Sequence, residues 1–525
     1  MGGSLANVNG SKAKFNEYRS IGNGLESSLD LTYRDQEKYL DLSAILGMSN
    51  ATTANQDRST GNELLLKTGT KDYKFDLFYK EVPHNLTFGA LTYLDGVGTA
   101  TLTKAAPTSI PTLSSYTKSF DYGYLRKNYG VEAEVLFNSP YFVNVKVDRT
   151  EVNGLTPFAV STALSEVPAP INNATTNIIT QVGYRTPQLI AVFDASLSKF
   201  QNDYDKFSTW LSTYSSTSGY TYYQPYYAYE AADNDSYRIS ASVTYKLPSV
   251  KSTLMLKASR SLMQSDLVLY DNTTRLSGTG SVPSFTTPFD WKGRITYTTA
   301  NASLSSKIND KLSTKLFVNY LNKSNDNPEG LTYGSSSYTT DAFDYSKRNA
   351  GLEANYKINP KNTVSAGYEY LGLKRSVRED APKTDDNTVF VQVKNSSLDW
   401  LTGKIRYQYL TRSSDNVLGA EHANDATSAT VTSSSLYFAQ FTQPADTANK
   451  KQHAIKIGFD FEPTDNTTFG VEYAFKYDDF TKNYLGMLNA KRNELYVDAT
   501  YTKGIAKFTA YGDLEVVNSF ARYRQ

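Results

Sequence analysis

The chain has 525 residues, of which 54 are Lys or Arg and 53 are Asp or Glu, so its net charge is +1. This balance excludes a polyanion-binding protein that works through bulk positive charge. The absence of cysteine excludes disulfides, thiolate metal sites and covalent c-type haem in this chain. Tyrosine is abundant, at 41 residues, and such amphipathic rings are typical of a surface that meets both lipid and water.

The dominant pattern along the chain has period two. It begins at 29–33 and is clearest at 237–247, 401–409, 453–461 and 469–477. Because successive strand residues point to opposite faces, each segment has one apolar and one polar face. Within the segment 236–246 we expect four side chains to face lipid, namely Tyr237, Ile239, Val243 and Tyr245. We expect three to face the lumen, namely Arg238, Ser240 and Thr244.

Two kinds of connection alternate between the strands. Short turns rich in Pro, Gly, Asn, Asp and Ser are predicted at 138–140, 185–187, 248–249, 309–310, 359–360, 396–397, 464–466 and 503–504. Longer polar loops are predicted near 150–175, 200–235, 264–290, 322–345 and 411–450. This asymmetry indicates a large transmembrane antiparallel β-barrel of strands of about 9–12 residues, with short periplasmic turns and long extracellular loops.

Two soluble all-β folds are the alternatives. A series of sandwiches would need paired apolar faces, domain-sized units and linkers. A propeller would need a repeat of nearly constant length. The hairpins vary widely in length and no repeat is visible, so the membrane barrel is favoured.

The predicted barrel is so wide that its lumen must be occupied. About 21 strands beyond residue 24, at ~4.8 Å spacing and ~40° tilt, give a diameter of roughly 40–50 Å. An open hole of that size would make the membrane leaky. The 24 residues before the first strand are too few for a plug domain, and the outer loops look too irregular to form one packed core. A separate protein in the lumen is the remaining interpretation.

Several segments resemble the MtrB/PioB outer-membrane barrels of porin–cytochrome conduits. The resemblance begins at 14–18 with Gly22 and Gly24, continues at 39–42 and 78–85, and returns between Arg348 and Arg412, including 366–370 and 405–409. These motifs are structural and not catalytic. Some members of the family carry an N-terminal Cys pair, which this sequence lacks.

The resemblance implies that the barrel sheathes and insulates a periplasmic multihaem c-type cytochrome. An extracellular multihaem cytochrome would dock on the outer loops, and electrons would cross the outer membrane to or from extracellular acceptors. The haem would belong to the partner. Lipid and lipopolysaccharide would surround the barrel, and no nucleic acid is expected. A large diffusion porin or transporter closed by its own loops is the alternative function.

No enzyme is predicted, because nucleophile elbows, phosphate loops and dinucleotide fingerprints are absent. The only histidines are His84, His422 and His453, without metal-binding spacing. Acidic pairs at 233–235, 326–327, 385–386 and 478–479 leave Ca²⁺ open as a minority interpretation beside turn chemistry. The tyrosine-rich run 220–229 is either a docking surface, an aromatic girdle or a self-packed loop.

Candidate partner contacts lie on the expected lumen-facing positions of the strands. They carry both signs of charge, so they fit either hydrogen bonds to a cytochrome or a simple wetted wall. The candidates are Arg238, Lys246, Lys315, Arg406, Glu472 and His84.

We expect residues 1–24 to form a periplasmic segment and residues 25–525 to form the barrel. Counting from a periplasmic start, the strand near 508–514 runs outward, which leaves an odd count and an unpaired edge in lipid. The sequence therefore predicts a chain that lacks closing strands, about four or five if the full barrel has ~26. The alternative is a miscounted strand within 81–116.

Overall fold

A computed structural model of the chain describes residues 2–4, 24–49, 61–103, 117–137, 139–159, 166–214, 221–269, 289–327, 331–333, 336–338, 342–376, 378, 381–415, 443–504 and 506–523. Within this part, strands dominate, and the helical structure is a 3-10 turn at Pro248–Val250. No helix among these residues is long and apolar enough to cross a membrane.

The strands in chain order are β1 (Gly2–Ser4), β2 (Gly24–Arg34), β3 (Lys38–Ser49), β4 (Glu63–Thr70), β5 (Tyr73–Thr92), β6 (Lys118–Val135), β7 (Tyr141–Ala159), β8 (Glu166–Arg185), β9 (Leu189–Asn202), β10 (Lys206–Tyr214), β11 (Thr221–Tyr229), β12 (Asn234–Leu247), β13 (Ser252–Leu269), β14 (Phe289–Lys307), β15 (Leu312–Asn325), β16 (Leu331–Tyr333), β17 (Ser336–Tyr338), β18 (Tyr345–Asn359), β19 (Asn362–Arg375), β20 (Lys383–Leu398), β21 (Leu401–Ser414), β22 (Lys450–Thr464), β23 (Thr467–Asp479), β24 (Gly486–Lys503) and β25 (Ala506–Arg522).

These strands form one antiparallel sheet of 21 strands, which is the wall of a large β-barrel. Each long strand pairs with the next along the chain. The pairs β9–β12 and β15–β18 enclose two small hairpins, β10–β11 and β16–β17, that lie outside the main sheet. No described ladder joins β25 to β2.

The pairing register places the apolar side chains of neighbouring strands on one face of the sheet and the polar side chains on the other. Directly opposed residues of neighbouring strands share a face, and one such row runs through Leu31, Leu42, Leu66, Leu77, Val131, Val147, Ile178, Leu197, Tyr237 and Leu262. The adjacent row on the other face runs through Thr32, Asp41, Lys67, Asp76, Glu132 and Lys146. An apolar outer face and a polar inner face are the arrangement of a membrane barrel.

Tyrosines border the apolar band of the outer face at both ends. The end near the short turns carries Tyr33, Tyr73, Tyr141, Tyr184, Tyr245, Tyr356 and Tyr501, and the other end carries Tyr79, Tyr129, Tyr237, Tyr320, Tyr370, Tyr409 and Tyr477. On β23, eight residues separate Phe469 from Tyr477, which is about 20 Å along the barrel axis at ~40° tilt. These two girdles account for much of the tyrosine excess.

The strand assignments at 29–33, 237–247, 401–409, 453–461 and 469–477 are confirmed. The predicted loop at 150–175 is wrong, because β7 and β8 form a continuous ladder through Pro157 and Pro168. These strands reach beyond the apolar band, where both faces meet water and no alternation marks them. The longest strands have 20 residues and exceed the predicted length, because their ends extend beyond the apolar band. The turn predicted at 396–397 lies instead at 399–400.

The count of about 21 strands beyond residue 24 is corrected to 20 long strands in the sheet. The segment 81–92 belongs to β5 and adds no strand of its own. Strand β2 begins at the long-loop end and leads to the short turn at 35–37, and β25 ends at the long-loop end. Residues 5–23 lie outside the described part, so the periplasmic placement of 1–24 stays a prediction.

A small hydrophobic cluster lies at the long-loop end, on the inner side of the β7–β8 hairpin. We call it the loop cluster; its residues are Leu94, Leu102, Val167, Ala169 and Phe207. The Leu102 N–H donates to the Ser208 carbonyl, the Ser208 N–H donates to the Ala100 carbonyl, and the rings of Phe158 and Phe207 meet edge to face at 5.7 Å. The outer loops therefore contain more packed structure than the sequence indicated.

Candidate functional site

The inner face of the barrel is the candidate functional surface. All six predicted contact residues lie on it: Arg238, Lys246, Lys315, Arg406, Glu472 and His84. The placement follows from register, since each is opposed by residues of the polar face on its neighbouring strands. Their contact with a partner stays a prediction.

The structure brings two of these residues into one group. Arg406 stands directly opposite Lys456 on β22, and its guanidinium stacks on the ring of Phe390 at 3.8 Å. Lys456 in turn forms an ion pair with Glu472 on β23. The stacking orients the Arg406 head group, which can donate hydrogen bonds into the lumen.

The other four candidates are separated from this group. Arg238 is opposed by Ser196 and Ser261, and Lys246 lies near the short-turn end of β12. The ammonium of Lys315 lies 5.9 Å from the ring centre of Phe317. His84 lies near the long-loop end of β5, with its ring 4.8 Å from that of Tyr124.

Much of the inner face carries charges that neutralise one another. Ion pairs join Lys74 to Glu134 at 2.7 Å and Lys80 to Glu63 at 3.0 Å. Arg412 binds both carboxylate oxygens of Asp386 at 2.7 Å. These pairs form a wetted, hydrogen-bonding wall, which suits the polar surface of a soluble protein and not an apolar ligand.

The acidic residues Asp385, Asp386 and Asp478 are engaged in ion pairs and hydrogen bonds of the wall. Asp386 is held by Arg412, and Asp385 accepts from Lys383 and from the Tyr370 hydroxyl. Asp478 accepts from Gln452 and pairs with Lys450. No group of three or more potential metal ligands occurs in the described ranges. These contacts support the turn and wall interpretation of the acidic pairs over the calcium interpretation.

Of the remaining histidines and the tyrosine run, the structure describes the side chain of His453 and the backbone of most of the run. His453 lies on the outer face, where its Nδ1 is 2.8 Å from the Tyr407 hydroxyl within the aromatic border. His422 lies outside the described residues. The backbone of 221–229 forms strand β11 of the small hairpin, and most of its side chains are also outside the described part.

Charged side chains also order the short turns. The Lys307 ammonium, 2.8 Å from Asp310, lowers the pKa of that carboxyl below its ordinary value. At the turn after β2, hydrogen bonds from the Tyr33 hydroxyl and from the backbone N–H groups of Glu37 and Lys38 lower the pKa of Asp35. Both carboxylates therefore stay ionised at neutral pH.

Sequence reasoning missed half of the inner cations on β12–β15, namely Lys257, Lys307 and Lys323. It also missed the inner acids Asp30, Asp498 and Asp513. Their spacing could have identified them, because each lies an even number of residues from an inward-facing polar residue of the same strand and therefore shares its face. The alternation was too weak on these strands to fix the register without the pairing.

Comparison with known proteins identifies the family. The model of a family described as outer membrane beta-barrel porin, MtrB/PioB, matches residues 7–521. No curated protein matches the chain.

The chain is also similar, at low sequence identity, to several solved structures. The copper transporter OprC is 8% identical with a TM-score of 0.46, over 94% of this chain and 74% of that one. The ferric yersiniabactin receptor FyuA of Yersinia pestis is 11% identical with a TM-score of 0.42, over 95% and 78%. The ferric-catecholate receptor Fiu of E. coli K12 is 10% identical with a TM-score of 0.43, over 93% and 74%.

Proposed function

The chain belongs to the MtrB/PioB family of outer-membrane β-barrel porins, and from this premise we propose that it sheathes a periplasmic multihaem c-type cytochrome. The barrel would hold the haem chain across the outer membrane and insulate it from lipid. Electrons would pass through the cytochrome to or from extracellular acceptors. The barrel itself would perform no chemistry.

The width of the polar lumen is the observation that carries the proposal. Twenty long strands, at ~4.8 Å spacing and ~40° tilt, would enclose a backbone circle of roughly 40 Å when the sheet closes into a barrel. Inner side chains reduce this opening, and a small folded domain still fits. A folded protein can occupy a lumen of that width, whereas a small solute cannot fill it.

The chemistry of the inner face supports a protein occupant. Side chains that donate or accept hydrogen bonds, such as Arg406, Gln408 and Glu472, lie along the wall. A partner with a polar surface would exchange its water for these groups with little loss of hydrogen bonding. The outer face is mostly apolar in the lipid band, so the wall separates two media.

The absence of cysteine is consistent with a division of labour. Covalent c-type haem needs paired thiols, and this chain has none. The redox groups would therefore all reside on the partner, and the barrel would contribute position and insulation. An extracellular cytochrome would dock at the long-loop end, where the loop cluster gives the mouth a fixed shape.

The rival function is a large porin or transporter that its own loops close. The loop cluster favours this rival to a limited degree, because it lies on the inner side of the β7–β8 hairpin. It involves β7, β8, β10 and segment 93–103, which is one side of the mouth. A single such cluster leaves most of a circle of roughly 40 Å uncovered.

Purification from the native membrane tests the proposal. The full-length protein, tagged at an outer loop, is isolated in mild detergent and stained for covalent haem. We expect a stoichiometric multihaem protein that resists added protease until the barrel is denatured. A preparation without haem protein, from cells grown on an extracellular electron acceptor, would contradict the proposal.

A further inference from the structure

The charges of the inner face are unevenly distributed around the barrel. Within the described ranges of β12–β15, the inner face carries six cations and no Asp or Glu, and we call this surface the basic wall: Arg238, Lys246, Lys257, Lys307, Lys315 and Lys323. Within the described residues, Lys307 pairs with the turn residue Asp310. Arg238, Lys246 and Lys257 have no acidic partner there.

A second surface has the opposite excess. Among the side chains that the structure describes, the inner face of β24, β25, β2 and β3 carries six acids, and we call it the acidic wall: Asp30, Asp41, Glu494, Asp498, Asp513 and Glu515. Three cations accompany them. Arg34 pairs with Asp41, and Arg492 pairs with Glu494 and Glu515. Asp30, Asp498 and Asp513 have no described ion pair.

The basic wall lies at the middle of the sheet and the acidic wall at its two ends, so that closing the sheet into a barrel would place the two walls opposite one another. Six strands (β4–β9) separate them in one direction along the sheet, and six (β18, β19, β20, β21, β22 and β23) separate them in the other. The strands β4–β9 between them carry near-balanced inner charges, such as the Lys74–Glu134 and Lys80–Glu63 pairs. The inner charge therefore changes from an excess of cations at β12–β15 to an excess of acids at β24, β25, β2 and β3.

We propose that the lumen occupant is a soluble protein with one acidic and one basic flank, held in a single rotational orientation. The acidic flank faces β12–β15 and the basic flank faces β24, β25, β2 and β3. This inference rests on the proposed function, since it assigns the charge pattern and seating of the protein that the barrel would enclose.

The physical reason is charge complementarity at close range. Fields are screened over about 10 Å at 0.1 M salt, so a wall acts only on a partner that nearly fills the lumen. A partner turned by half a circle would place like charges together, and such contacts are strongly disfavoured. Unpaired wall cations such as Arg238 and Lys257 are also available without breaking an existing ion pair.

Single cysteines can test the orientation, because the chain has no other thiol. Ser305→Cys lies on the basic wall beside Lys315, and Thr509→Cys lies on the acidic wall beside Asp498. Each variant is labelled with a benzophenone maleimide in the native complex, and its cross-linked peptides are identified by mass spectrometry. Benzophenone inserts into C–H bonds, so the probe itself has no charge preference.

We expect Ser305→Cys to capture acidic peptides of the partner and Thr509→Cys to capture basic peptides, with no overlap between the two sets. Overlapping sets, or sets of the reversed charge, would overturn the inference while leaving the sheath function intact. The absence of any cross-linked protein at both positions would instead contradict the sheath function and, with it, this inference.

A charge variant with a matched control sharpens the test. The triple variant Arg238→Gln, Lys257→Gln, Lys315→Gln should lose the acidic-peptide selectivity at Ser305→Cys. The control is Arg260→Gln, which removes a cation from the outer face of the same region. The control should retain the wild-type pattern. An unchanged pattern in the triple variant, with the complex still assembled, would overturn the inference.

Discussion

The membrane wall and the loop cluster are stabilised in different ways. In the wall, large apolar side chains remain open to the surroundings, as Ile239 does at 55% exposure, and they are buried only by lipid. In the loop cluster, Leu94 and Phe207 are 0% exposed and pack against protein. The wall therefore depends on ladder hydrogen bonds and the bilayer, whereas the loop cluster depends on a small dry core.

This difference separates the tasks of the two regions. A wall without a core of its own can present a continuous polar surface inward and an apolar one outward. A packed loop cluster can hold a fixed shape in water at the mouth. Substitutions should therefore affect the two regions independently.

The largest effect is expected in the loop cluster. Phe207→Ala removes a fully buried ring that packs on Phe158, and truncation of a core aromatic costs about 3–5 kcal/mol. We expect faster hydrogen exchange and proteolysis in 93–103 and at the start of β10. Exchange in β13 and β14 should not change. Equal loss of protection in both regions would show that they are not independent.

A smaller effect is expected in the apolar band. Val391→Lys places an ammonium on the outer face between Ala366 and Tyr407, which costs about 2–4 kcal/mol at the middle of a bilayer. Reversible unfolding by denaturant in lipid vesicles measures this cost. Thr388→Lys is the control on the same strand, because it faces inward opposite Glu369. Equal destabilisation by both variants would contradict the assigned faces.

Removing the contact between the wall and the segment that begins at residue 443 should destabilise the protein less than the two substitutions above. Arg412 binds Asp386 with two hydrogen bonds and donates to the carbonyl of Asp446 in the segment after 443. Arg412→Gln should cost about 1–3 kcal/mol, the range for hydrogen bonds to charged groups. Arg492→Gln, whose ion pairs are more exposed, should cost less than about 1 kcal/mol. The order of the two midpoints in denaturant checks this; the reverse order would contradict it.

The smallest effect concerns pH at a short turn of the wall. The pKa of Asp310 is lowered in the folded protein by Lys307, so its contribution to stability is present above the pKa of the unfolded chain. That contribution is lost as pH falls through the lower, folded pKa. We expect Asp310→Asn to be slightly less stable than wild type at pH 7, with the difference disappearing below about pH 4. A difference that grows at low pH would contradict the ion pair.

The sequence predicts the wall much better than the mouth. Segments such as 453–461 alternate strictly because lipid and water impose different requirements on the two faces, so their strands were predictable. Beyond the band, Pro157 and Pro168 lie in a ladder that no alternation reveals. The loop cluster joins Leu94 to Phe207 across more than one hundred residues, and no local pattern reports such a contact.

The inner residues show the same limit. Arg238 and Arg406 could be placed on the lumen side from parity alone. Their neighbours could not, because the alignment of Lys456 with Arg406 depends on the pairing register. The opposition of the basic and acidic walls depends on strand order around the whole barrel, which no single segment contains.

Conductance in planar bilayers tests the central claim most directly. The native complex is compared with the same full-length barrel after its lumen protein has been removed by chaotropic salt and refolding in detergent. The account predicts a small conductance for the complex and a large, stable conductance for the emptied barrel, reversed when the removed protein is added back. Equal, small conductance in both preparations would contradict the account, because the barrel would then be closed by its own loops.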